Sequence, residues 1–459
     1  MAGGTFTKSQ KKVRPGTYIN FKSTKQTLAS GGTTGVVILP LVAHNWGPAG
    51  EFIEISNSAP DANYEKLGYS VYDDDALGNM LLIREALKNA AKVIVFIPTA
   101  GTKATATLIT KLKVDAAYGG ALGNDLKVAI VANADLGVGY FNVVVTLGTS
   151  TVDTIIGAQK IGDLTADGTS KWVKFSTTGG GTAADVLTAA AATALTTGAN
   201  GAMVNADFTG MLDLCESIAF NTFAFPYSAT TYAALCAGIK SKIKHFREGT
   251  GKRVNAVMAK FVADYEGCIN VTNGVILTDG TEITAEQAVA YVAGITAAAS
   301  YTQSNTYRQY TGAQSVKDPK THDQAVAAIN AGELFFSYDD GYNVVIEYDI
   351  NSLTTFADGK DESYRKNRVM RVFDAFSNSL MSNFPPNKYS NDRTGWDVME
   401  GIGRSILDAF ADDGAITDVD PENDFFVDVE LSTGDQTYFN CGLKAVDSAE
   451  KLFFTVSTR

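Results

Sequence analysis

Two short, uninterrupted apolar runs bracket a helical pattern near the start of the chain. The runs cover residues 35–43 and 92–99, and apolar residues recur at helical spacing between 75 and 91. A strand that is apolar at every position is buried on both faces, which is typical of a parallel sheet. The order strand, helix, strand therefore predicts a parallel βαβ unit whose helices cover the sheet.

The pattern changes at Gly101. Up to about Ser176 the chain alternates apolar with small polar residues and is interrupted by Gly, Asn and Asp, which predicts an antiparallel β-sandwich. The Gly, Ala and Thr-rich stretch 179–201 is predicted to form a short helix between two flexible joints. Helix and strand patterns then resume, so we expect one α/β domain that is interrupted by a β-sandwich insertion.

Several later signals support this organisation. A long apolar face predicts a helix over 230–248, and Thr284 followed by Gln287 is a capping box that starts a second, Ala-rich helix. Shorter apolar runs predict strands at 217–226, 254–259 and 274–277. Asp340-Gly341 predicts a hairpin between 332–337 and 342–351.

The C-terminal region has a different texture. Two amphipathic helices are predicted at 360–384 and 394–410, followed by strands at 424–431, 437–446 and 450–457. The predicted fold class is α/β plus β, in a multidomain chain with extended terminal arms. The predicted division is an N-terminal arm 1–27, an α/β domain 28–100 with 199–355, a β-sandwich insertion 101–198, a C-terminal α+β domain 356–446, and a C-terminal arm strand 447–459.

Composition excludes several classes of protein. The chain has 50 acidic and 38 basic residues, for a net charge of −12, which disfavours direct nucleic-acid binding. No apolar run approaches the ~20 residues of a membrane-spanning helix, and no signal-like apolar segment follows the N-terminus, so we expect synthesis in the cytoplasm and no membrane insertion. The four cysteines include no CxxC pair.

No catalytic, cofactor or metal signature is present. The segment 249–252 (GTGK) lacks the first Gly of a phosphate loop, and Arg253 stands where Ser or Thr is required. There is no GxSxG elbow, and the three histidines, His44, His245 and His322, lie in positions typical of structural residues. The acidic clusters 73–75 and 418–424 are predicted to be solvated loops, with calcium binding left open. The sequence thus predicts no enzyme, no cofactor and no catalytic or metal-binding residue.

A basic run stands out in this acidic chain, formed by Arg365, Lys366, Arg368 and Arg371. One interpretation is the solvated face of an amphipathic helix. The other is a contact with an acidic protein surface.

The two ends of the chain carry opposite charge. Residues 1–50 contain six basic and no acidic residues, whereas 408–450 contain twelve acidic residues and one basic residue. Both ends also have strand-like segments with little core of their own, whose candidate pairing residues are Val13, Tyr18, Ile19, Phe21, Leu452, Phe453, Phe454 and Val456. Such strands pair either within one chain or between chains, and head-to-tail pairing between chains builds rings or helical filaments.

Taken together, these stretches resemble the tail sheath proteins of contractile phage tails and tailocins of Gram-positive bacteria. The resemblance lies in VRPGTYINF (13–21), KVIVFIP (92–98), ITAEQAVAYVAGITAAA (283–299), AINAGELFFSYDDGYNVVIEYDINSLTTF (328–356), YRKNRVMRVFDAFSNSL (364–380), PENDFFVDVEL (421–431) and KLFFTV (451–456). The AGEL, INSLTTF and RVMRVFD stretches are the most specific, and together the segments span most of the chain.

The resemblance implies a structural role. Sheath subunits form hexameric rings stacked around an inner tube, exchange terminal strands with neighbours, and contract to drive the tube through a cell envelope. The implied partners are further copies of this chain, the tail tube protein, and baseplate and tail terminator proteins. The particle would be assembled in the bacterial host cytoplasm and released on lysis.

The resemblance also implies how the domains are used. The α/β domain would be subtilisin-like but not proteolytic, the insertion would face outward, and the C-terminal domain would face the tube. Candidate tube-facing residues are Arg365, Lys366, Arg368, Arg371, Arg393 and Arg404. Two alternatives stay open: another self-assembling surface or array protein, and a hydrolase on a subtilisin-like fold.

Overall fold

The computed structural model describes residues 2–4, 16–18, 35–357 and 359–457. In chain order the strands are β1 Ala2–Gly4, β2 Gly16–Tyr18, β3 Val36–Pro40, β4 Phe52–Ser56, β5 Lys92–Phe96, β6 Lys103–Ile109, β7 Leu112–Gly119, β8 Leu126–Ala132, β9 Phe141–Leu147, β10 Ser150–Ala158, β11 Val173–Thr177, β12 Ala190–Ala194, β13 Thr222–Ser228, β14 Asn255–Ala259, β15 Cys268–Val271, β16 Gly274–Leu277, β17 Glu282–Ile283, β18 Ala313–Lys317, β19 Glu333–Leu334, β20 Phe336–Tyr338, β21 Val344–Ile346, β22 Phe425–Thr433 and β23 Gln436–Cys441. The α-helices are α1 Tyr64–Leu67, α2 Asn79–Leu87, α3 Ile161–Thr165, α4 Asn205–Leu214, α5 Ala233–Lys244, α6 Ala285–Ala298, α7 His322–Asn330, α8 Asn367–Asn383, α9 Arg393–Asp412 and α10 Pro421–Asp424.

A seven-stranded sheet forms the centre of the α/β region, in the order β19-β15-β14-β13-β3-β5-β4. Its strands are parallel except for the edge strand β4, which runs antiparallel to β5. Val37 and Leu39 pack with α2 and α6 on one face, whereas Val36 and Ile38 pack with α4 and α5 on the other. Burial on both faces explains the apolar run at 35–43 and confirms the predicted parallel βαβ unit.

Most of the local predictions in this region are confirmed. Thr284 accepts a hydrogen bond from the Gln287 backbone N–H at 3.3 Å and starts α6, as the capping box predicts. The predicted hairpin is present as β20 and β21. The sequence interpretation missed β4, β15, α4 and α7. The predicted strand β16 lies in a separate antiparallel sheet with β17 and β18.

Residues 103–194 form two antiparallel sheets around a shared core, one of three strands (β11-β7-β6) and one of four (β10-β9-β8-β12). The prediction of a short helix within 179–201 is wrong, because this stretch contains β12, whose Thr193 lies opposite Val128 of β8. Alanine's helix propensity is a weak preference that strand pairing with a neighbour overrides.

The C-terminal helices pack on the hairpin of β22 and β23 around a small core that contains Val372, Phe376, Phe410 and Phe425. Helix α8 ends at Asn383, just before the prolines at 385 and 386, which cannot continue a helix. The strand predicted at 450–457 is wrong for the isolated chain, since residues 450–457 form no strand here. None of the helices in the described residues has the length and apolar character needed to cross a membrane.

Candidate functional site

The C-terminal arm exposes a run of large apolar side chains. Leu452, Phe453, Phe454 and Val456 have 66%, 92%, 83% and 87% of their surface exposed. A contiguous exposed apolar segment of this kind is typical of a protein–protein contact. These predicted arm residues are therefore accessible to a partner.

The N-terminal candidates are only partly described. Tyr18 ends β2, which pairs in parallel with β1. Val13, Ile19 and Phe21 lie outside the described residues.

The hairpin of β22 and β23 has no third strand on either edge among the described residues, although the Val427 N–H donates to Glu400 Oε1 at 2.9 Å. Within the described part of the chain each of its two strands pairs only with the other. Phe425 and Val427 of this hairpin are buried, whereas four other large apolar side chains are exposed, namely Phe426, Val429, Leu431 and Tyr438. The segment 424–441 carries four acidic residues and no basic residue. An unpaired edge with this composition is a template for an added, basic strand.

The root of the C-terminal arm is held in place, unlike the residues beyond it. The Val446 N–H donates to the Ala415 carbonyl at 2.8 Å, and Arg368 Nη1 donates to Ser448 Oγ at 3.0 Å. Lys366 Nζ donates to a carboxylate oxygen of Glu450. The arm is thus anchored up to Glu450.

The prediction that the basic run forms an exposed surface is wrong for three of its four members. Arg365, Lys366 and Arg371 are buried, with 8%, 7% and 8% of their surface exposed, and Arg368 is half-buried. The cause is that the start of α8 and the residues before it lie at the junction between the α/β region and the C-terminal region, where Lys366 meets Glu450 and Arg371 meets Asp349. The amphipathic pattern of α8 alone did not reveal these partners.

Asp349 is the main partner of Arg371. Arg371 Nη2 lies 2.6 Å from Asp349 Oδ2, and Asn367 Nδ2 donates to the other carboxylate oxygen at 2.8 Å. Burial alone raises the pKa of Asp349, but the charge of Arg371 and these hydrogen bonds outweigh it and lower the pKa below its usual value. Arg371 is therefore engaged within the subunit.

The two remaining basic candidates lie on α9. Arg393 has 75% of its side chain exposed and pairs with Asp397, and Arg404 has 36% exposed and pairs with Glu400. Both pairs join residues four apart on the helix and are accessible from outside.

The residues considered for catalysis have structural roles. His44 is buried, with Nε2 2.9 Å from the Leu67 carbonyl oxygen and Nδ1 3.0 Å from Asn79 Nδ2. Lys252 of the Gly-Lys turn donates to backbone carbonyls, including that of Cys215 at 2.7 Å. Within the residues described, no serine hydroxyl is hydrogen-bonded to a histidine.

The acidic clusters are engaged in local contacts. Asp75 accepts a hydrogen bond from the Met80 backbone N–H at 2.9 Å, and Asp418 pairs with Lys444. No group of three or more His, Cys, Asp or Glu side chains among the described residues is placed to hold a metal ion.

Three family models match successive parts of this chain. The tail sheath protein Gp18 domain III N-terminal region matches residues 34–96, the phage tail sheath protein central domain matches 201–352, and the phage tail sheath C-terminal domain matches 359–459.

Relatives match over nearly the full length. The chain is 37% identical to the phage-like element PBSX protein XkdK of Bacillus subtilis (strain 168), covering 99% of each sequence. A crystal structure of a sheath tail protein from Desulfitobacterium hafniense is 36% identical with a TM-score of 0.80, covering 96% of this chain and 99% of that one. A second, from Listeria innocua, is 33% identical with a TM-score of 0.75, covering 94% and 96%. The chain belongs to the phage tail sheath protein family.

Proposed function

We propose that this chain polymerises as stacked hexameric rings around an inner tube and contracts to drive the tube through a cell envelope. The observation that carries this proposal is the C-terminal arm, whose four large apolar side chains are exposed in the single subunit. The subunit acts as a building block and not as an enzyme. Its partners are copies of itself, the tail tube protein, and baseplate and terminator proteins, assembled in the host cytoplasm before lysis.

The arms act by donating strands to the β22–β23 hairpin of neighbouring subunits. The acceptor segment 424–441 has four acidic residues and no basic one, whereas 1–34 has six basic residues and no acidic one. Beyond Glu450 the C-terminal arm has only basic charges, Lys451 and Arg459. Main-chain hydrogen bonds supply affinity in such a contact, and complementary charge selects the correct partner.

The domain roles follow the family resemblance. We keep the division into arms, an α/β domain 28–100 with 199–355, an insertion 101–198 that faces outward, and a C-terminal domain 356–446 that faces the tube. A parallel sheet covered by helices on both faces supports the subtilisin-like description. Of the candidate tube-facing residues, exposure favours Arg393 and Arg404 over the buried members of the basic run.

Replacing Phe453 and Phe454 together with Ser tests the donated strand. We expect a subunit whose thermal unfolding matches that of the wild type, because both rings are 83% or more exposed. Negative-stain microscopy of the purified protein should show a loss of tubular polymer.

The matched control is Leu136→Ser with Val138→Ser, which alters two apolar side chains exposed on the insertion. This variant should polymerise normally. Normal tubes from the Phe453 and Phe454 variant would refute the strand-donation proposal.

A further inference from the structure

We propose that the buried ion pair between Lys366 and Glu450 is the anchor that fixes where the C-terminal arm leaves the subunit. It thereby positions the donated strand for the neighbour that receives it. Lys366 and Glu450 are thus positioning residues for assembly. This inference rests on the strand donation proposed above.

Lys366 and Glu450 are largely buried and are held by further contacts. Lys366 and Glu450 have 8% and 10% of their side chains exposed. Glu450 also accepts a hydrogen bond from Ser304 Oγ at 3.1 Å, and Lys366 Nζ lies 4.0 Å from the ring centroid of Tyr348 and 3.5 Å from Asp447. Contacts from three separate parts of the chain therefore converge on the arm root.

The pair marks a sharp boundary along the chain. Before it, Thr417 N–H donates to the Lys444 carbonyl at 3.0 Å and Arg368 contacts Ser448. After it, within the described residues, no hydrogen bond joins 451–457 to the rest of the subunit, and the apolar side chains there are exposed. Glu450 is thus the last described residue of the arm that is hydrogen-bonded to the rest of the subunit, before the part of the arm that donates.

Strand pairing makes the position of this point matter. A strand rises about 3.3 Å per residue, so an arm root displaced by that distance shifts the donated strand by one residue. A shift of one residue turns every side chain of the strand to the opposite face. An arm attached loosely would therefore present its apolar face in the wrong register.

The anchor is also connected to the body of the subunit through α8. Lys366 immediately precedes α8, Arg371 on its first turns pairs with Asp349 at 2.6 Å, and Asp374 farther along pairs with Arg247 at 2.7 Å. A pull on the arm is consequently transmitted from Glu450 through α8 to the α/β region. This path suits a strand that must remain attached while neighbouring subunits move.

Two neutral variants, Lys366→Gln and Glu450→Gln, test the anchor. In the monomers, the amides of 446–450 should exchange hydrogen about tenfold faster or more, because a charged hydrogen bond at the root is lost. Polymer yield should fall by a similar factor, while the Glu450→Gln subunit still unfolds cooperatively, because Lys366 keeps Asp447 as a partner at 3.5 Å. The charge-reversed double variant Lys366→Glu with Glu450→Lys should recover part of both properties.

The matched control is Lys444→Gln. Lys444 pairs with Asp418, and this pair is exposed, with 68% and 65% of the two side chains accessible. The control variant should leave exchange at 446–450 and polymer yield unchanged. Wild-type exchange and yield in Glu450→Gln would overturn the anchor, even where Lys366→Gln is less stable as a whole.

The result is distinguishable from a failure of strand donation. If the Phe453 and Phe454 variant still forms tubes, strand donation is wrong, and exchange in the monomers still decides whether the pair holds the arm root. If that variant fails to polymerise while Glu450→Gln polymerises normally, donation stands and the anchor is refuted.

Discussion

Gly403 allows helix α9 to approach the β22–β23 hairpin closely. A Cβ atom at this position would lie 2.0 Å from Cε1 of Phe425, whose ring is buried in the C-terminal core. Gly401, two residues earlier on the same helix, is exposed and has nothing within 4 Å of such an atom. The two glycines therefore look alike in the sequence but differ in their packing.

We expect Gly403→Ala to destabilise the subunit and Gly401→Ala to stabilise it. Ala is favoured over Gly inside a helix by about 1 kcal/mol, but at 403 the added atom overpacks the core, at a cost of about 1–3 kcal/mol. Chemical denaturation of both variants measures the difference. Equal stabilisation by the two substitutions would show that Phe425 moves aside freely.

Burial of the basic run illustrates what could not be derived from the sequence at the residue scale. A helical pattern shows which positions share a face, but it does not show that Asp349 and Glu450, distant along the chain, meet Arg371 and Lys366. These partners depend on the tertiary arrangement. Phe453 and Phe454, by contrast, were predicted from a local pattern, a strand-like apolar segment with little core of its own, and both side chains are exposed.

At the scale of elements, predictability followed the strength of the local signal. Strand β3 is apolar throughout, β5 is apolar after Lys92, and α6 has a capping box, so their type was evident. Strand β15 has only four residues, and β12 is rich in Ala, so their neighbours in the sheets determine their conformation. The segment 450–457 illustrates the opposite case, because its strand-like sequence has no pairing partner among the residues that the structure describes.

The contact between the end of α5 and α8 is a strong link between two parts of the chain. Arg247 follows α5 in a π-helical turn, has 3% of its side chain exposed, and makes two hydrogen bonds to Asp374 at 2.9 and 2.7 Å. Burial alone lowers the pKa of Arg247, but the charge of Asp374 outweighs it and raises the pKa above its usual value. The buried guanidinium of Arg247 is thus charged at neutral pH and depends on its contact with Asp374.

We expect Arg247→Met to lower the free energy of unfolding by about 3–5 kcal/mol, because it leaves the Asp374 carboxylate without its partner in a mostly buried site. Arg247→Met with Asp374→Leu should recover much of this loss, since neither charge then remains. Calorimetry compares these variants with the control Lys244→Gln. Lys244 pairs with Glu248 at an exposed position, and this pair should contribute less than about 1 kcal/mol to stability. If Arg247→Met lowered the free energy of unfolding as little as Lys244→Gln does, the Arg247–Asp374 pair would not be a strong contact between α5 and α8.

At the scale of the whole molecule, the insertion is attached to the α/β region in two ways. Thr102 and Ala199 pair through two backbone hydrogen bonds of 2.8 and 3.2 Å, so the two ends of the insertion lie side by side. Trp46, from the loop after β3, lies fully buried in the core of the insertion, stacked on Trp172 at 5.6 Å. Because Thr102 and Ala199 lie side by side, a short linker can replace the insertion. Because Trp46 is buried in the core of the insertion, removing the insertion exposes its ring.

Excision of 103–198, with Thr102 and Ala199 joined by a short Gly/Ser linker, separates these two effects. The central sheet packs between its own helices on both faces, so we expect cooperative unfolding and polymerisation to persist at a lower Tm. Trp46 loses Trp172 and Tyr118. In a Trp396→Phe background its fluorescence should shift to the red relative to the full-length protein with Trp172→Phe and Trp396→Phe, in which Trp46 is likewise the one tryptophan left. Loss of the cooperative transition would show that the insertion completes the core of the α/β region, whereas an unshifted emission would show that the loop carrying Trp46 finds another buried position.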